Sequence, residues 1–333
     1  MTGIGKGKHR DVQTVADRLA AAVTPGCSEI DAYLSAQVRD ESHREVVGPL
    51  LEPSGASGVV LHRGERVATW GDPARPEMLF SATKTFVSLV AGAAFDAGRL
   101  DPARRVVDDV PLEQLLSAPW AGVTWEQLLQ QTSSWDGELW GKPARVDAQS
   151  GEEPAAWSYN DVRVNLLCLA LTLLWGEPLD TVLAKRIMTP IAGSTTWSWH
   201  GYSNSTVRIG DDEVRVVVGG AHWGGGLFMS ALDMAAVGAA LLDPQAQPVS
   251  HTWLRRSWTP SAANPSYGYL WWLNDDRQVF PAAPATGRCA RGNLGRHLLW
   301  LDPARDLVVA SHWTEGIAEA IQEISALVSE ASA

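Results

Sequence analysis

Lysine and cysteine are both scarce in this chain. Only five lysines stand against 22 arginines in 333 residues, and the three cysteines, Cys27, Cys168 and Cys289, are widely spaced and odd in number. That spacing fits reduced thiols and supports neither a disulfide framework nor a zinc site. The eight histidines form no HExxH pair or similar cluster, so no metal is expected. No run of about 18 uncharged apolar residues occurs, and no membrane span is expected. Lys6, Lys8 and Arg10 lie among glycines with no apolar stretch behind them to act as a signal-peptide core, so the expected location is the cytoplasm. With a formal net charge of −11 and scattered basic residues, no nucleic-acid partner is expected. A phosphate-binding glycine fingerprint is missing, which speaks against a nucleotide enzyme. So is a G-x-S-x-G elbow, which speaks against an α/β-hydrolase. No cofactor is expected.

Hydrophobic residues make up 45% and charged residues 20%, the balance of an ordinary globular chain. The length admits one large core or two intimate subdomains. Sixteen tryptophans are present, several beside glycine or polar residues: Trp135, Trp140, Trp223, Trp271 and Trp272. Two readings stand side by side. The rings pack the core, or some of them line a bulky, partly apolar cleft.

Val12, Val15, Leu19, Ala20 and Val23 recur at helical spacing and stop at Pro25-Gly26. A second helix follows, with Ser28 and Asp31 resembling a capping pair and Ile30, Leu34 and Val38 on one face. Residues 58–62 and 66–70 flank Arg63-Gly64-Glu65 as a β-hairpin. After Phe80 the small, apolar stretch from Ser81 to Gly98 reads as a buried helix with Ser81 in its first turn. Residues 101–200 read mostly as helix: Thr124 with Gln127 before Leu128-Leu129, then Val162 to Trp175, then Pro178 to Met188. Strand patterns return at Val214–Val218, Tyr267–Leu273, His297–Leu301 and Leu307–Trp313, and an amphipathic helix closes the chain from Ile317 to about Val328. The expected class is α+β: an antiparallel sheet flanked by N- and C-terminal helices, with an inserted, mainly helical subdomain. Residues 1–100 and 206–333 would form the sheet part and 101–205 the insert, in one compact catalytic unit.

Ser81 and Lys84 stand three apart at a helix start, so their side chains share a face. A serine hydroxyl needs a neighbouring base, and burial favours the neutral, basic form of a lysine. The helix N-terminus also offers N–H groups to a developing oxyanion. Across the cleft, Trp157-Ser158-Tyr159-Asn160-Asp161 precedes the most apolar helix of the chain. A carboxylate at Asp161 near Lys84 would keep the lysine protonated, which shifts general-base duty to Tyr159. Tyr202-Ser203-Asn204 is the competing second element, ranked after Tyr159 because strand-like sequence follows it. For an edge strand beside the nucleophile the candidate is Arg291-Gly292-Asn293-Leu294-Gly295-Arg296, just before the strand at His297. The glycine-rich run Gly219 to Gly226 reads as a loop pressed against something, with His222 either facing the cleft or structural.

At these residues the sequence resembles the serine β-lactamase and penicillin-binding-protein superfamily, in particular the class C β-lactamase-like esterases, amidases and 6-aminohexanoate-dimer hydrolases. The resemblance runs from about Gly58 to Trp313. It matches the Ser-x-x-Lys motif at Ser81 and Lys84, and the Tyr-x-Asn motif at Tyr159 with Asp161 as a departure. Leu128 to Ser133, Gly225 to Asp233 and Tyr267-Gly268-Tyr269 with Trp271 look like the family too. Its Lys-Thr-Gly motif is represented at best by Asn293-Leu294-Gly295, which puts β-lactam hydrolysis in doubt unless Arg291 or Arg296 replaces the lost charge. The resemblance implies a serine hydrolase acting through an acyl-Ser81 on a small-molecule ester or amide with an apolar group. Ser81, Lys84 and Tyr159 would be catalytic, supported by Asp161, Asn293, Leu294 and Gly295. Trp135, Trp140, His222, Trp223, Tyr267 and Arg291 would meet the substrate. An acyltransferase using the same nucleophile, and a non-catalytic ligand-binding member of the fold, remain open alternatives. A homodimer is compatible with the sequence.

Overall fold

The computed structural model describes residues 6–22, 24, 29–37, 48, 55–144, 157–220 and 224–329. The chain opens with α1 (Lys6–Ala20), whose Val12, Val15, Ala16 and Leu19 are buried at helical spacing, and continues with α2 (Ile30–Gln37). The expected stop at Pro25-Gly26, Ser28 of the capping pair and Val38 lie outside the described residues. Strands β1 (Ser57–His62) and β2 (Glu65–Trp70) form the hairpin, turning through Arg63 and Gly64, which both have positive φ. β3 (Pro76–Met78) leads to a 3₁₀ turn at Phe80–Ala82 and then to α3 (Thr83–Asp96), so Ser81 lies in the turn before the helix rather than in its first turn.

Thr124 and Gln127 complete a capping box at the start of α4 (Trp125–Gln130). The short hairpin β4 (Glu138–Leu139) and β5 (Lys142–Pro143) follows, then α5 (Asp161–Trp175) and α6 (Leu179–Leu183), which runs into a π turn at Ala184–Met188. Next come β6 (Ser198–His200), β7 (Thr206–Ile209), β8 (Asp212–Arg215), β9 (Gly226–Ser230), α7 (Ala231–Leu242) and α8 (His251–Ser257). The chain ends with β10 (Trp272–Leu273), β11 (Arg288–Gly292), β12 (His297–Asp302), β13 (Leu307–His312) and α9 (Ile317–Ser329).

The main sheet is antiparallel in the order β10-β11-β12-β13-β1-β2, with Val60 opposite Val309 and Leu299 opposite Ala310. Successive side chains of a strand point to opposite faces, and here both faces are covered. Val60, Leu298, Trp300 and Val309 meet α1 and α9 on one side, with Ile321 and Ile324 among them. Val59, Leu299, Leu301, Val308 and Ala310 meet the other side, where Phe86 of α3, Leu167 of α5 and Val237 of α7 join the same cluster. This is why β12 and β13 read as unbroken apolar runs. The Gln13 side chain reaches from α1 to the β2 backbone, donating to the Thr69 carbonyl at 2.7 Å and accepting from the Thr69 N–H at 3.1 Å. Among the described residues no single helix is long and apolar enough to cross a membrane.

The α+β class stands, with corrections to particular elements. The segment expected as a strand at Val214–Val218 splits. Its first part ends the surface hairpin of β7 and β8 at Arg215, while Val216–Val218 is a buried arm whose amides bond Ser205 and His200 irregularly. Of Tyr267–Leu273 only Trp272 and Leu273 form a strand. The amides of Tyr269 and Leu270 go to Ser257 and Leu129 instead, and Leu270 takes φ 59°. Helices α7 and α8 and strands β3, β4, β5, β6, β7, β9 and β11 were not among the expected elements.

Candidate active site

The nucleophile turn is held tightly. Phe80, immediately before Ser81, has φ 50°, a conformation that costs a bulky residue about 1–3 kcal/mol and persists only when its surroundings impose it. Its ring packs with Met78, Phe228 and Trp313, lying 5.6 Å edge-on from Trp313 and 4.7 Å from the His297 ring. Gly220 presses on the same turn: a Cβ there would stand 2.1 Å from the Phe80 carbonyl oxygen, and its φ is +72°.

One turn on, Lys84 is 2% exposed. Its Nζ donates to Ser81 Oγ at 2.9 Å, to the Gly220 carbonyl at 2.9 Å and to the Gly219 carbonyl at 3.4 Å, and pairs with Asp161 Oδ1 at 2.7 Å. All four groups can accept a hydrogen bond, so the amine is ringed by oxygen atoms. The carbonyls are aimed by Asn165, whose Oδ1 accepts the Gly219 N–H at 3.0 Å.

The opposite wall starts at the N-terminus of α5. Asn160 caps it by accepting the Arg163 N–H at 3.0 Å, which places Asp161 in the first turn beside Lys84 and Tyr159 just outside the helix. Tyr159 stands close enough to Ser81 for the serine hydroxyl to affect its titration, and Lys84 Nζ lies 5.1 Å from its ring centre. Burial first, then the Asp161 carboxylate, raise the Tyr159 pKa above the ordinary tyrosine value, while Ser81 and the charge of Arg291 oppose the shift. Trp272 stacks on Tyr159 at 5.5 Å, and Tyr267 and Trp157 complete an aromatic wall. Tyr267 accepts a hydrogen bond from Gln131 Nε2 at 3.1 Å.

The third wall differs from the sequence expectation. The glycine that meets the nucleophile turn is Gly292, the last residue of β11, where a Cβ would stand 2.2 Å from the Leu79 carbonyl oxygen and 3.0 Å from the Ala82 nitrogen. Asn293, Leu294 and Gly295 form a 3₁₀ turn beyond the strand, all with positive φ, so they do not supply the strand edge. The Leu294 side chain is 79% exposed, and the Asn293 carboxamide oxygen accepts from the Tyr33 hydroxyl of α2. Arg291 lies over Trp272 at 5.7 Å and Phe280 at 5.5 Å, and its Nε is buried with no hydrogen-bond partner among the described residues.

Of the other residues expected at the substrate, Trp135 is a core residue. It is buried, and its indole N–H donates to the Leu115 carbonyl at 2.9 Å, so it lines no cleft. Trp140 is half-buried at the β4–β5 turn, edge-on to Tyr202. His222 and Trp223 lie outside the described residues. Tyr202 is buried, its hydroxyl accepts from Asn165 Nδ2 at 3.3 Å, and the Lys142 ammonium sits 3.9 Å from its ring centre. Asn165 was not singled out in the sequence, and Gln131 and Trp157 were named there only as members of the Leu128–Ser133 and Trp157–Asp161 runs, with no role of their own.

Residues 44–318 match the Beta-lactamase family. The 6-aminohexanoate-dimer hydrolase of Paenarthrobacter ureafaciens is 23% identical over 287 residues, covering 72% of this chain and 66% of that enzyme, so the match spans just under two thirds of the relative's length. Among solved structures, a D-stereospecific amidohydrolase from Streptomyces sp. superposes with a TM-score of 0.60 at 15% identity, over 94% of this chain and 97% of that one. A β-lactamase from Mycobacterium bovis gives a TM-score of 0.56 at 18% identity, over 84% of this chain and 95% of that one. At such identities the structural likeness shows the fold.

Proposed function

The chain belongs to the Beta-lactamase family, and from that premise we propose that it is a serine hydrolase that cleaves a small-molecule ester or amide through an acyl-Ser81 intermediate. The observation that carries this reading is the 2.9 Å contact of Ser81 Oγ with Lys84 Nζ, with Tyr159 beside them.

Ser81 Oγ attacks the carbonyl carbon, and its proton passes to Tyr159 in the phenolate form, a minor species at rest that burial and Asp161 disfavour and the neighbouring cations favour. Tyr159 then delivers the proton to the leaving oxygen or nitrogen as the carbonyl–heteroatom bond breaks. Water attacks the acyl-Ser81 in the second half-reaction, losing its proton to Tyr159, which returns it to Ser81. The backbone N–H groups of Ser81 and Asn293 are the candidate oxyanion donors, a role that the close approach of Gly292 to the nucleophile turn supports. Each of these groups belongs to the protein chain. Trp157, Tyr267 and Trp272 support a substrate with an apolar acyl or leaving group. Arg291, with no carboxylate partner among the described residues, supports an anionic substituent on that substrate.

The test is intact-protein mass spectrometry after a fluorophosphonate probe, together with turnover of a panel of p-nitrophenyl esters. A single adduct absent from Ser81→Ala, with turnover lost in the same variant, is the expected result. No adduct on folded wild-type protein would favour a ligand-binding role. Product diverted from acid to amide by added amines would favour acyl transfer.

A further inference from the structure

We propose that Gln131 is the positioning residue of the reacting tyrosine, tying down both backbone flanks of Tyr159 and fixing the hydrogen-bond direction at Tyr267. The proposal rests on the acyl-Ser81 reading and deepens it. Gln131 ends α4 with φ 59° and ψ 40° and is completely buried. A helix end of this kind uses only main-chain atoms, and glycine or asparagine takes the left-handed angle at lower cost, so capping does not account for a glutamine.

Its side chain is spent elsewhere. The Asn160 N–H is a donor only, so Gln131 must present Oε1 to it, at 2.5 Å. That choice fixes the carboxamide and leaves Nε2 to donate to the Tyr267 hydroxyl at 3.1 Å. The main-chain carbonyl of Gln131 accepts the Ser158 N–H at 3.2 Å. Residues 158 and 160 are thus both bonded to residue 131, and Tyr159 between them is held in register with Ser81. Tyr267, already an acceptor from Gln131, has its own proton left to donate away from the glutamine. Its ring meets the Tyr159 ring at 6.2 Å and 86°. One buried carboxamide therefore restrains the tyrosine through its backbone and through the ring behind it.

Two variants test this. Gln131→Met, of similar volume, removes both side-chain bonds. Single-turnover acylation by a p-nitrophenyl ester, normalised to molecules that end as a Ser81 adduct, should slow by about 100-fold, the scale of a misplaced reacting group, with little change in KM. Gln131→Glu keeps an oxygen for the Asn160 N–H and should recover at least about tenfold of that loss. The added carboxylate near Tyr267 and Tyr159 disfavours the phenolate, so the rise of kcat/KM with pH should move to higher pH. A purely structural glutamine would lower the folded fraction and leave the acylation rate of the folded Gln131→Met molecules unchanged. Wild-type rates and an unchanged profile in both folded variants would overturn the proposal. If Gln131→Met does not fold, the rate and profile of Gln131→Glu decide alone. Failure of wild-type Ser81 to take the label would instead remove the acylation reading, so the two failures are distinct.

Discussion

Asp161 puts a carboxylate 2.7 Å from the Lys84 ammonium, where the family pattern that the sequence resembles carries an amide. Its charge also raises the Tyr159 pKa. Removing a negative charge favours the phenolate, so in Asp161→Asn the rise of kcat/KM with pH should move to lower pH while turnover remains measurable. A pH–rate series on the two proteins checks it, and complete loss of turnover in a folded Asp161→Asn would show the carboxylate to be indispensable. At this scale the sequence was legible where chemistry is local. Ser81 and Lys84 are three residues apart, so spacing alone places that pair on a common face, and Tyr159 and Asp161 flank one helix start. Gln131 and Asn165 were not legible, because their partners lie 29 and 54 residues away. Trp135 misled for a related reason: polar neighbours in sequence say nothing of the Leu115 carbonyl that satisfies its indole inside the core.

At the scale of elements, β12 and β13 carry a buried pair. His297 Nδ1 and His312 Nδ1 lie 3.1 Å apart, a hydrogen bond in which one imidazole donates and the other accepts. Burial depresses both, His312 to about 3 and His297 well below its ordinary value with further push from His312 and Arg296. Both are therefore neutral in the fold, whereas an unfolded histidine takes up a proton near pH 6.5. Their contribution to stability is present above about pH 6.5 and is lost as pH falls toward the folded values. Urea melts of His312→Gln should lose less stability between pH 7 and pH 4 than the wild type does, and parallel curves would assign the acid sensitivity to other groups. Helices α1 and α9 were readable from periodicity, and α5, β12 and β13 from unbroken apolar runs. Helix α7 was not, because ALDMAAVGAALL is nearly uniform in small apolar residues and carries little stripe to read. The strand at β10 shrank to two residues because Tyr269 and Leu270 spend their amides on Ser257 and Leu129, a choice no local pattern encodes.

Across the whole molecule, one apolar cluster runs from Leu128 and Leu167 of the helices through Phe86 to Leu299 and Val308 of the sheet. The candidate site lies along this shared core and draws on segments far apart in the chain, with the Lys84–Asp161 pair joining α3 to α5. A covalent adduct that contacts several of these segments should stabilise the folded chain as a unit. Phosphonylated wild type should therefore melt higher, by about 1–2 °C for each kcal/mol of new contact, while Ser81→Ala treated in the same way should not shift. Differential scanning calorimetry distinguishes the cases, and two separated transitions would show that the segments melt independently.

The Gln13 carboxamide at Thr69 has a consequence for assembly. The outermost strand of a sheet ordinarily offers its N–H and C=O groups to another chain, and such edges seed fibres and runaway polymers. At β2 the glutamine of α1 occupies both groups of Thr69 like a one-residue extra strand, and at the far end β10 is only two residues long. The main sheet is thus blunted at both borders, which disfavours its extension by a second copy through β2 or β10.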